Sequence, residues 1–108
     1  MAFTLRESAK ITVDFEGNQG STFTLTVTQK VAGSLRLVSA TYNGQTQNGP
    51  NVSFTMAAGL NPLVIVLAFA TEGETGFLTE VDSAGATREL KKLTTRTSTD
   101  RTFFLEGV

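Results

Sequence analysis

Residues 22–28 read Thr22-Phe23-Thr24-Leu25-Thr26-Val27-Thr28. Phe23, Leu25 and Val27 alternate with four threonines, and side chains of period two stand on opposite faces of a strand. Branched and aromatic side chains also fit a pleated surface. The segment is predicted to be a half-buried strand, with its apolar parity hidden. The threonine ladder is read as ordinary exposed strand surface, because an ice-binding array would repeat it on several strands.

The same rhythm extends in both directions. Upstream, Ile11, Val13 and Phe15 alternate with Thr12, Asp14 and Glu16 before a Gly17-Asn18-Gln19-Gly20 turn. Downstream, Leu35 to Tyr42 changes phase between Leu37 and Val38, which predicts a β-bulge or burial on two sides. Asn43 to Pro50 has the composition of a loop. Val52, Phe54 and Met56 resume the alternation, and Gly59-Leu60-Asn61-Pro62 interrupts it. Leu63-Val64-Ile65-Val66-Leu67-Ala68-Phe69 is apolar on both parities. It is too β-branched for a good helix and too short to cross a membrane, so it is predicted to be a central strand covered on both faces.

Phe77–Val81, Asp82-Ser83-Ala84-Gly85 and Ala86–Leu93 have the pattern of a hairpin with Gly85 in the left-handed position. That register puts Leu78 opposite Leu90 and Glu80 opposite Arg88. Helix formers cluster over 88–93, where a strand is preferred to a short helix. Arg101 to Glu106 supplies the last strand, with Phe103 and Leu105 on one side and Phe104 on the other. About eight short strands at regular spacing predict an all-β fold: a two-layer antiparallel β-sandwich of immunoglobulin-like or jelly-roll type, with a small barrel as the alternative. A single domain over residues 1–108 is expected.

The chemistry is bounded by absences. The 108 residues include no Cys, His or Trp. No thiolate or imidazole can serve as nucleophile, neutral-pH base or zinc ligand, and Ser-His-Asp and Cys-His arrangements are impossible. No phosphate-binding glycine motif occurs. The expectation is a protein that is not an enzyme and uses no cofactor or metal. Glu72, Glu74, Glu80 and Asp82 are the richest carboxylate cluster. A glycosidase pair or a calcium site would draw on them. Their spacing does not match a calcium loop, however, and they are read as solvated charges of a turn and a hairpin. The formal charge of −1 gives no basic face for nucleic acid or an anionic membrane. Without a signal-peptide core at the N-terminus, the default expectation is a cytoplasmic protein.

From Leu37 to Thr71 there is no Asp, Glu, Lys or Arg. Exposed sheet edges are normally guarded by charge, and interface cores are depleted of it. The plain reading is a central strand with ordinary polar loops, and two functional readings stand beside it. One is a self-associating, homo-oligomeric interaction or structural module that uses Val64 and Val66, or Tyr42. The other is a carbohydrate-binding module in which Tyr42, Asn43, Gln45, Gln47, Asn48 and Asn51 form a neutral site for a ligand such as a glycan, since amides both donate and accept. The low aromatic content speaks against the second.

Overall fold

Period-two alternation needs a second layer to cover the apolar parity, and the chain supplies one. The computed structural model describes residues 13–96 and 99–108. Nine strands run in order: β1 (Phe15–Gly17), β2 (Thr22–Thr28), β3 (Arg36–Tyr42), β4 (Gln45–Asn48), β5 (Val52–Thr55), β6 (Gly59–Ala68), β7 (Thr75–Val81), β8 (Thr87–Thr94) and β9 (Asp100–Gly107). They form a five-stranded sheet, β1-β9-β6-β3-β4, and a four-stranded sheet, β5-β2-β7-β8. Among the described residues there is no helix, so residues 88–93 lie in a strand. The result is the predicted sandwich.

The core between the layers takes Leu37, Ala40 and Tyr42 from β3, Leu63, Ile65 and Leu67 from β6, and Phe103 and Leu105 from β9. The facing sheet contributes Leu25, Val52, Phe54, Leu78 and Leu93. Phe23, Tyr42 and Phe54 join the sheets in an aromatic cluster, with the Tyr42 ring 5.5 Å from Phe23 and 5.7 Å from Phe54, both edge-on. Edge-on contacts suit the ring quadrupole. On β2 the threonines point away from this core. Thr24 and Thr28 hydrogen-bond across to Ser53 and Thr79, at 2.7 Å each, and Thr26 donates to the Pro50 carbonyl.

The predicted phase change in β3 is a register shift between Leu37 and Ser39. Glu80 faces Arg88, and Gly85 adopts a φ of 85°. Four expectations need correction. Asn43–Pro50 is not simply a loop: Asn43 and Gly44 take φ angles of 51° and 77°, and Tyr42 pairs with Gln45 across them. That is the two-residue hairpin for which Asn-Gly is suited, and it adds β4 as a ninth strand. β6 begins at Gly59 rather than after Pro62. Pairing with β3 stops at Leu63, so one side of β6 is a free edge at Pro62 and tolerates the missing N–H. Leu78 pairs with Lys91 instead of Leu90, because a bulge intervenes between Leu78 and Thr79. β6 is central in its sheet, but among the described residues its two faces are covered unequally: Leu63, Ile65 and Leu67 are buried while Val64, Val66 and Ala68 are half-buried. Ile11 and Thr12, assigned to the first strand, lie outside the described residues.

One pair departs from the antiparallel rule. β1 runs parallel to β9, with Phe15 beside Leu105 and Gly17 beside Gly107. Parallel neighbours need a long connection, and here most of the chain provides it.

Burial sets the expected cost of truncation. Ile65 is 0% and Phe54 3% exposed, so Ile65→Ala and Phe54→Ala should each lose about 2–5 kcal/mol in urea melts. Thr24→Ala should lose less than about 1 kcal/mol, since it removes one hydroxyl contact on the outer face.

Candidate functional site

The outer face of the five-stranded sheet gathers the uncharged residues. Val64 stands between Thr41 and Thr102, and Val66 between Ser39 and Asp100. Thr41 and Ser39 lead on to Thr46 and Asn48 of β4. Leu60 and Pro62 continue the row along β6, beside Glu106 and Phe104. Leu60 is 39% exposed, and Val38 at the β3 bulge is 40% exposed. The surface therefore has an apolar centre, a surround of hydroxyls and amides, and charges at its margin in Arg36, Asp100 and Glu106. Sequence reasoning named Val64 and Val66 but not Leu60 or Pro62, although both share their parity.

The edges of the two sheets differ sharply. β4, at the margin of the five-stranded sheet, reads Gln-Thr-Gln-Asn and carries no charge. β8, at the margin of the other, carries Arg88, Glu89, Lys91 and Lys92. Charge on an edge strand opposes pairing with another chain. β5 is closed differently, by the Gln47 side chain, whose Oε1 accepts the Ser53 N–H at 2.8 Å.

The amide-rich site expected around Tyr42 is not assembled. Tyr42 is 1% exposed, and its hydroxyl accepts the Ala57 N–H at 2.8 Å and donates to the Met56 sulfur at 3.4 Å. It is a core residue that ties β3 to the β5–β6 connection, with no ring surface left for a ligand. Gln47 is occupied at the β5 edge. Asn43, Gln45, Asn48 and Asn51 are exposed, strung along β4 and its ends.

Of the four carboxylates read as solvated, Glu72 is exposed, and the other three have separate structural tasks. Asp82 Oδ1 accepts the N–H groups of Ala84 and Ala86, which holds the β7–β8 turn. Glu80 bonds Arg88 at 2.6 Å. Glu74 accepts the Ser34 hydroxyl at 2.6 Å, the Ser34 N–H at 2.7 Å, and the Leu35 N–H at 3.2 Å. These bonds hold its carboxyl at about 2, below the ordinary 4.5; the Ser34 hydroxyl and then the Ser34 amide lead, against the smaller cost of burial. Buried Thr95 supports the β6–β7 loop that carries Glu74, accepting the Glu74 N–H and donating to the Thr71 carbonyl. Among the described residues no group of three or more acidic side chains is placed to hold a metal ion.

Glu74 thereby pins the β2–β3 loop against the start of β7, and the two border a cleft of about 690 Å³. Phe77, Lys30 and Lys92 line it together with Gln29, Val31 and Thr75. Sequence reasoning did not single out any of these six.

Compared with models of known protein families, with curated proteins and with solved structures, the chain matches none. Among the described residues no helix is long and apolar enough to cross a membrane.

The Glu74 contacts predict a pH dependence. The folded carboxyl keeps its charge down to about 2, while the unfolded one takes a proton near 4.5. Its contribution to stability is therefore complete above that upper value and is lost as the pH falls toward the lower one. Acid titration of unfolding free energy should show a decline over this window that is shallower in Glu74→Gln. Parallel curves for the two proteins would reject the assignment.

Proposed function

We propose that this domain is a non-catalytic structural module that assembles with copies of itself through the outer face of β4, β3 and β6. One observation supports this above others: from Leu60, Val64 and Val66 across β3 to the edge strand β4 the outward face carries no charge, Asp100 and Glu106 of β9 bordering it on the other side. Two copies related by a two-fold axis bring identical patches together, so any net charge there would oppose itself. An uncharged patch has no such cost. The body extends 50 by 33 by 22 Å, and its broad faces are large enough for the roughly 800 Å² per partner of a standard interface. No particular sandwich topology, immunoglobulin-like or jelly-roll, is required for this role.

The glycan-binding alternative is the weaker one. It loses Tyr42 to the core and Gln47 to the β5 edge, which leaves four exposed amides and no stacking ring among them.

Sedimentation velocity over a concentration series tests the proposal. The wild-type chain should pass from monomer to a discrete oligomer. Val64→Lys and Val66→Lys should each shift that equilibrium toward monomer while changing stability by less than about 1 kcal/mol, the span of strand preferences at such sites. A wild-type protein that stays monomeric at every concentration would refute it.

A further inference from the structure

The cleft beside β7 lies on the four-stranded sheet, away from the uncharged face, and has features of its own. Its volume of about 690 Å³ falls within the range of small-molecule sites. Its wall is preformed, because Glu74 holds Ser34 and Leu35 by three hydrogen bonds. A site that needs no ordering on binding loses less affinity to entropy.

Its floor and rim differ in chemistry. Phe77 is half-buried, with its ring in the cleft. Lys30 Nζ lies 5.3 Å from the ring centroid. Lys92 is directly across the β7–β8 ladder from Phe77 and also lines the cleft. Lys30 has a loose partner in Glu89 at 3.8 Å, with both side chains well exposed. Among the described residues, no carboxylate stands within ion-pair distance of Lys92. Glu74, the acidic group of the lining, is turned to the Ser34 and Leu35 amides and the Ser34 hydroxyl of the β2–β3 loop.

The geometry points to a binding site for a small organic anion, a carboxylate or phosphate carried on a flat apolar body. The body packs beside Phe77, and the acid group meets the ammonium groups of Lys30 and Lys92 that share the lining. Aromatic rings offer offset or edge contacts to such a body. Two ammonium groups beside a low-dielectric surface attract an anion more strongly than either does in open water.

The test is an amide NMR titration of the whole chain with benzoate and with phenyl phosphate, using benzyl alcohol as the uncharged control. Saturable shifts at Thr75, Phe77 and Lys92 with either anion, weakened by added salt, support the site. Lys92→Gln, at an exposed position that leaves the core untouched, should lose about two- to fivefold in affinity. No saturable shift with either anion, equal binding of benzyl alcohol, or undiminished affinity in Lys92→Gln would overturn it. The cleft and the assembly face are on different sheets, so failure of one leaves the other standing.

Discussion

A body of two layers gives each sheet a single hidden face. That constraint governs the rest of the molecule, because domains bury apolar surface by packing one layer on another. β6 is apolar on both parities, yet among the described residues one partner sheet covers it. Leu63, Ile65 and Leu67 take the hidden side, and Val64, Val66 and Leu60 are left outward. Charge reaches this surface from β9, where Asp100 stands beside Val66 and Glu106 beside Leu60, but not from the opposite side. There β3 and β4 offer Ser39, Thr41, Thr46 and Asn48. An outward parity of this kind is unusual for a strand with solvent beside it, and it gives the functional proposal its physical basis.

The polar side chains that look available in the sequence are largely committed to holding loops. Tyr42 secures the chain at Ala57, Gln47 closes the edge of β5, Thr95 ties the β6–β7 loop, and Glu74 anchors the β2–β3 loop. Each satisfies buried or half-buried backbone groups that would otherwise cost the sandwich stability. Loops joining two sheets cannot pair as strands do, so side chains supply their bonds. A candidate site that combined Tyr42 with Gln47 was therefore drawn from residues with structural tasks.

Legibility followed the range of the interaction. Alternation is local, and it marked β2, β5 and β9 and the hidden parity of β2. The β3 bulge showed as a phase change for the same reason. Asn43-Gly44 was also a local signal, but the polar composition around it concealed a hairpin. Pro62 looked like a break because its tolerance depends on where β3 ends, which is a property of the partner strand. The bulge that moved Leu78 from Leu90 to Lys91 left no mark in the alternation of β7. The cleft was invisible for a stronger reason: residues 29–33, 71–77 and 92 meet only through the pairing of β2, β7 and β8.

The parallel β1–β9 pair has a mechanical consequence. Tension drawn through the chain entering β1 and leaving β9 would pull the two strands in opposite directions along their shared axis. The bonds between them, with those from Asp14 to Phe104, from Gln19 to Val108 and from Val108 to Gly17, would then be loaded together in shear. An antiparallel pair held at one end opens rung by rung, like a zipper. Here several rungs must yield at once, so the direction of pull, and not the number of bonds alone, sets the resistance of this clamp to stretching.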